Sequence, residues 1–452
     1  MNRWALASVV VAILLLLGGG YAYLEYRKLM QPAAAAALDP AHAQTATGFL
    51  DLLDRSDFTA AHAMLDAQAR AALSVEKLAE GWQTLPKQLG DRRRRDAARG
   101  VSVDGVPLVA FRIEFAMMPL DARIGIDAAG AIHTFRVVPI AATPAAPATA
   151  DDPFIEREVA VAGLGGTLTL PRGSGPFPAL LLVHGSGAND RDQTVGPNRP
   201  FLDLSRGLAT QGIAVLRYEK RTRARPQDFT GKSFTVDDEV IDDAVAAIAV
   251  LRSEPGIDPT QVYLGGMSLG AMLVPRIALR SPQLAGLILL SGPARDLLEI
   301  VPQQVRYLAQ LDGGIDAAEQ SAIEDIDQQV AATRAHNIVD APRESLLLGL
   351  PASYWMDLRG YDPVEALRAL PQRTLIVQGG RDYQVTPADD FARWQQAFSN
   401  DPRVSLRSYP QLNHLLIRGE GPPNPQEYMR SGNVEPQVID QIAAWIEAPV
   451  AR

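Results

Sequence analysis

Residues 262–278 read VYLGGMSLGAMLVPRIA. Val262 to Leu264 is a short apolar run of the kind that forms a buried strand, and Ala271 to Leu279 carries apolar residues at helical spacing. Between them, Gly266-Met267-Ser268-Leu269-Gly270 fits G-x-S-x-G. A strand before this pattern and a helix after it is the context in which it presents a serine nucleophile on a sharp, strained turn. The turn brings strand and helix close together, so the residues two positions either side of the serine must be small; both are glycine. The competing reading is a glycine-rich helix start with a capping serine.

A serine hydroxyl needs a base, and the chain has 6 histidines. His42, His62 and His133 fall in a separate N-terminal region. His184 ends a strand in His184-Gly185-Ser186-Gly187, where a different role is expected, and His336 falls in an inserted segment. His414 follows the last expected strand, Val404 to Tyr409, and completes the order serine, acid, histidine that goes with this strand–turn–helix context. The acid belongs between them, just past a strand. Thr374 to Gln378 is that strand, and Gly379-Gly380-Arg381-Asp382 follows, which makes Asp382 the candidate. It would fix the histidine tautomer and stabilise the imidazolium. The competitors Asp389 and Asp390 lie in the next helical pattern and are expected to face solvent.

From Pro153 onward, apolar strands alternate with amphipathic helices: Leu180 to Val183, Phe201 to Gln211, Ile213 to Tyr218, Val236 to Arg252, Val262 to Leu264, Ala271 to Leu279 and Ala285 to Leu290. This is the signature of a mostly parallel sheet covered on both faces. Residues 295–370 interrupt the alternation with helical sequence that would sit over the site as a cap. Upstream, AATPAAPATA (141–150) lies in a low-complexity linker, 141–152, that separates the catalytic region, 153–449, from a small α+β domain over 41–140. In that domain Thr47 to Leu53, Phe58 to Leu73 and Ser74 to Leu85 read as helices, with Asp57 as a cap. Val106 to Phe115, Ala122 to Ile126 and Ile132 to Ile140 read as strands, the last two joined by a turn at Asp127 to Gly130. Arg92 to Arg95 reads as a solvated loop, with contact to anionic lipid as the alternative.

The N-terminus differs in kind. Trp4 to Leu24 is uncharged and long enough to span a bilayer. Residues 1–30 read either as an uncleaved hydrophobic helix anchoring the chain, or as a signal peptide with Gly20 and Ala22 before the cleavage point. Either reading sends the rest of the chain to the periplasm or another compartment outside the cytoplasm, with the membrane as a partner in the first case. Of the 452 residues, 47% are hydrophobic, enough for a sizeable core, and a net charge of −9 argues against nucleic acid as a partner. The absence of cysteine excludes disulfides, thiolate metal sites and a cysteine nucleophile. Gly231-Lys232-Ser233 is no phosphate loop, because the required first glycine falls on Pro226. Asn189 to Asp192 reads as a loop tied by its own charges, with a substrate or cation site as the alternative. Oligomeric state is left open.

Taken together, LLVHGSGANDRD (181–192), GIAVLRYEKRT (212–222), VYLGGMSLGAMLVPRIA (262–278), LIVQGGRDYQVT (375–386) and LNHLL (412–416) resemble the α/β-hydrolase superfamily, in its bacterial serine esterase and serine-peptidase-like branch. Residues 41–140 are similar to small N-terminal domains found before such hydrolases, with a looser likeness to a nuclear-transport-factor-like cone. The resemblance implies an acyl-enzyme on Ser268, with His414 as base, Asp382 as orienting acid and no metal or cofactor. The backbone N–H groups of Ser186 and Leu269 are expected to form the oxyanion hole, and Met267, Tyr354 and Trp355 are the candidate pocket residues. A small-molecule carboxylic ester is the expected substrate. A thioester or peptide substrate, or a non-catalytic tethered binding role, are the alternatives.

Overall fold

Eight segments rich in Val, Leu, Ile and Tyr build the larger sheet: β1 (Phe154–Val161), β2 (Leu164–Pro171), β3 (Phe177–Val183), β4 (Ala214–Tyr218), β5 (Ile257–Met267), β6 (Gly286–Leu290), β7 (Thr374–Gly379) and β8 (Val404–Tyr409). Their order is β8-β7-β6-β5-β3-β4-β2-β1, in an 8-stranded sheet. Pairing is parallel from β8 through β4, while β2 and β1 join antiparallel. Central strands buried on both faces need continuous apolar sequence. β3, β6 and β7 meet that need: Ala179–Val183 and Leu287–Leu290 are fully buried, as are Leu375–Val377. The structure, a computed structural model, describes residues 34–103, 105–116, 119–140, 146–311 and 313–448. They form two compact units that divide within residues 141–145.

The helices that cover the sheet include α1 (Pro200–Thr210), α2 (Asp242–Ser253) and α3 (Leu269–Arg280). Between β6 and β7 the chain forms a helical cap, with α4 (Leu297–Ala309), α5 (Ala317–Arg334), α6 (Ala352–Leu358) and α7 (Pro363–Arg368). Both feet of the cap are tied down. Arg295, at its start, pairs at 2.7 Å with Asp390, which also accepts from the Ala294 N–H at 3.0 Å. Near its end Asp357 pairs with Arg276 of α3 at 2.8 Å, and the Tyr361 hydroxyl donates to the Met272 carbonyl at 2.7 Å. Asp390 is therefore fully buried instead of facing solvent. It sits in a wide π turn, Pro387–Phe391, that directs it inward to Arg295.

In the smaller unit a mostly antiparallel meander (Arg99–Val103, Val106–Phe115, Pro119–Ile126, Ile132–Pro139) backs onto Pro40–Asp54 and Val75–Leu89. Phe49, Leu50, Phe111, Ile113 and Ile124 form the core between them. Asp57 caps the second helix by accepting from the Ala60 N–H at 3.1 Å. That helix is shorter than its periodicity predicts. Leu65 leaves it to bridge Ile132, and Asp66 starts a new helix by accepting from Ala69 at 2.6 Å. Arg92–Arg95 is not a loop but a strand on Val106–Phe115, and Arg92 and Arg95 both bond Asp54.

The membrane expectation is corrected. No helix among the described residues is long and apolar enough to cross a membrane. The stretch that suggested an anchor or signal peptide, Trp4 to Leu24, lies outside the described residues. The membrane as partner, and the exported location argued from it, are accordingly not carried forward.

Candidate active site

Parallel strands gather the loops that follow them at one edge of the sheet, where ligands of such folds bind. Ser268 follows β5 there. Its backbone has φ 56 and ψ −123, a conformation that a residue with a Cβ adopts only under strain. Its N–H donates to the Leu290 carbonyl at the end of β6 (3.0 Å), and its carbonyl accepts from Met272, opening α3 (3.0 Å). From Val262 to Gly270 every residue is buried except Ser268, which is partly exposed. The flanking glycines are required by space. A Cβ on Gly270 would lie 2.2 Å from the Val183 carbonyl oxygen, and one on Gly266 would lie 2.4 Å from the Gly270 carbonyl carbon.

Asp382 follows β7. One oxygen, Oδ2, is 2.7 Å from His414 Nδ1 and accepts from Gln378 Nε2 at 3.0 Å; the other accepts the N–H groups of Gln384 and Val385, both at 2.9 Å. Both residues are buried, Asp382 at 3% and His414 at 4% exposure. The histidine loop is shaped by Asn413, whose Oδ1 accepts from Leu415 (3.0 Å) and Ile417 (3.2 Å). Gly379 lets that loop approach β7, since a Cβ there would meet the Asn413 and Leu412 carbonyl oxygens at 2.4 and 2.5 Å.

The loop after β3 lies against Ser268: a Cβ on Gly185 would come 3.1 Å from the serine Cβ. Its carbonyls are held by side chains. Asn189 Nδ2 donates to those of Gly185, Ser186 and Gly187 at 3.1, 2.9 and 3.3 Å. Lys220 Nζ donates to Gly185 at 2.9 Å, while the Gly185 N–H is taken by Gln193 Oε1 at 2.8 Å. Gln193 and Lys220 were not legible as site residues, because one comes from further along the loop and the other from beyond β4; Asn189 to Asp192 had a substrate or cation site only as the alternative reading. Asn189 to Asp192 ties outward more than to itself: Arg191 pairs with Glu158 and Glu219, and Asp192 with Arg217. His184 is packed between Phe201 and Tyr218, and complete burial, with Lys220 second, pushes its pKa down to about 3. It is a neutral core residue.

A cavity with about 340 Å³ of empty space, its open mouth included, begins at Ser186, Gly187 and Leu269. Leu297 and Val301 of α4, with Leu348 and Leu350, form its apolar wall, and Glu239 and Tyr354 its polar one. The other two expected pocket residues are elsewhere. Met267 is fully buried in the sheet core, as its inward place on a central strand requires. Trp355 turns away to donate its indole N–H to the Leu347 carbonyl at 3.2 Å.

Residues 180–428 match the Alpha/beta hydrolase family, and residues 46–135 match a protein of unknown function (DUF3887). Over 406 residues the chain is 37% identical to Esterase EstD of Thermotoga maritima, covering 89% of this chain and 95% of that protein. The chain belongs to the alpha/beta hydrolase family, with an extra N-terminal region. Solved structures that it resembles include 2,6-dihydroxy-pseudo-oxynicotine hydrolase, with a TM-score of 0.40 at 15% identity over 65% of this chain and 67% of that one. Another is Est1E from Butyrivibrio proteoclasticus, with a TM-score of 0.39 at 15% identity over 64% and 98%.

Proposed function

We propose that Ser268, His414 and Asp382 act as nucleophile, base and orienting acid. The chain is a serine hydrolase that cleaves carboxylic esters. The observation that carries the assignment of roles is the buried 2.7 Å bond between His414 and Asp382, at the sheet edge where Ser268 stands on its strained turn. With Asp382 accepting at Nδ1, the His414 tautomer leaves Nε2 free to take the serine proton.

Attack of Ser268 Oγ on the ester carbonyl forms a tetrahedral oxyanion. The N–H groups of Leu269, at the start of α3, and Ser186 receive it. Collapse expels the alcohol with the proton from His414, and water then cleaves the acyl-enzyme by the same route. The small cavity beside Leu269 suits a short ester arm, and the ester-cleaving relative EstD supports this substrate class. The domain reading is 41–140 for the small domain, 141–152 for the linker and 153–449 for the catalytic domain, with the cap over 295–370.

The test is labelling of wild type and Ser268→Ala with a fluorophosphonate probe, alongside turnover of p-nitrophenyl acetate and butyrate. Wild type is expected to label and hydrolyse, and the variant to do neither. Equal behaviour of the two would remove Ser268 from the nucleophile role.

A further inference from the structure

Glu239 is a carboxylate in a cavity whose other wall is aliphatic. It is 7% exposed and stands on a π turn, Asp237–Ile241, that precedes α2. Such turns interrupt a helix by one residue and are frequent at functional sites. Its partners are few. Lys220 Nζ lies 2.8 Å from Oε1, and the buried Tyr354 shares the cavity wall with this carboxylate. A carboxylate offers about four acceptor positions, so one ion-pair partner leaves capacity for a further donor. A few placed polar groups in an otherwise apolar pocket fix the orientation of what binds there.

Charge narrows the ligand. The Lys220–Glu239 pair is neutral as a unit, and Lys220 is itself 2% exposed. An ammonium group brought to Glu239 would be desolvated beside a second buried cation. A hydroxyl would supply a donor at no such cost. Ser186 and Leu269, the proposed oxyanion donors, line the same cavity, so an ester whose carbonyl oxygen sits between them can direct one arm toward Glu239.

We propose that Glu239 is the specificity-determining residue of this cavity, accepting a hydrogen bond from an uncharged hydroxyl on the short arm of the ester. Hydroxylated short-chain esters are then the preferred substrates. The inference rests on the proposed triad and on the oxyanion hole.

The experiment compares kcat/KM of the full chain for matched pairs on either arm. The pairs are p-nitrophenyl 3-hydroxybutyrate against p-nitrophenyl butyrate, and 2-hydroxyethyl butyrate against propyl butyrate, with p-nitrophenyl 4-aminobutyrate as the cationic control. One hydroxylated ester is expected to exceed its partner by about 10- to 100-fold, the range of one hydrogen bond to a charged acceptor. The aminobutyrate is expected to be the poorest acyl donor. In Glu239→Leu combined with Lys220→Met, which leaves no unpaired buried charge, that ratio should fall to about one, whatever the absolute rate. If the wild type labels with fluorophosphonate yet prefers neither hydroxylated ester, or prefers the ammonium ester, the inference is overturned and the triad stands. If the wild type neither labels nor hydrolyses, both are overturned. Should the double variant not fold, the wild-type ratios alone decide.

Discussion

Asp382 holds His414 with one oxygen while its other oxygen is fixed by two backbone N–H groups, so the pair's geometry does not depend on the histidine being charged. Asp382→Asn should keep the bonds from Gln384 and Val385, because an amide oxygen can still accept them, but its NH2 group would lose the bond that Gln378 Nε2 gives Oδ2. It should reverse the tautomer by presenting an N–H to Nδ1. We expect kcat to fall by about 10⁴, and the thermal midpoint to fall by no more than the loss of the single Gln378 bond allows. Steady-state kinetics and a melting curve on the same preparation check this. A fall of less than about tenfold would remove Asp382 from the triad.

Gly270→Ala tests whether the turn is set by backbone contact. Its methyl would overlap the Val183 and His184 carbonyl oxygens, at 2.2 and 2.6 Å, and the first cannot move without disturbing the end of β3. A loss of about 3 kcal/mol or more is expected, at the severe end for single substitutions. Denaturant titration of the two proteins measures it. Gly231→Ala is the control, since that glycine has φ 67 but open space around it, and only its backbone strain should register.

The catalytic sheet was legible because its central strands are buried on both faces and therefore read as unbroken apolar runs. The triad candidates were legible because each lies in the loop after a strand, although the strand before His414, β8, is a partly exposed edge strand. What the sequence hid was set by partners distant along the chain. Nothing local distinguishes Asp390 from Asp389 until Arg295 settles 2.7 Å from the first and 3.9 Å from the second. Arg92–Arg95 looks like a solvated charge run until Asp51 and Asp54 on a neighbouring helix neutralise part of it. Met267, expected in the pocket, is fully buried in the sheet core. The two-residue period of a strand points it into the core instead.

Asn189 provides a test of the oxyanion loop that leaves its backbone donors in place. It bonds the carbonyls of Gly185, Ser186 and Gly187 and so turns that peptide run in one direction. Asn189→Ala would free the Ser186 N–H to wander, while Lys220 and Gln193 still tether Gly185. Losing an oxyanion donor outright costs ~10²–10³ in kcat, so a displaced one should cost about tenfold. KM should stay within about twofold, and fluorophosphonate labelling should slow in parallel with kcat. A rise in KM at constant kcat would mean that Asn189 acts on substrate binding instead.

Asp203 on α1 sets a pH dependence that is separate from catalysis. Burial pushes its pKa up to about 6, against the Val434 N–H that it accepts at 3.0 Å and the opposing charge of Arg199. In the unfolded chain the group titrates near 3.9. Between those two values the folded state holds the proton and the unfolded chain has lost it, so stability falls as pH rises through this window. Above it the folded chain carries a desolvated carboxylate. Asp203→Asn keeps an oxygen for Val434 and removes the charge, so it should raise the melting temperature at pH 8 and do so progressively less toward pH 4. Thermal melts of both proteins across that range decide the point. A gain of equal size at both ends would mean that packing, not the charge, sets the cost at Asp203.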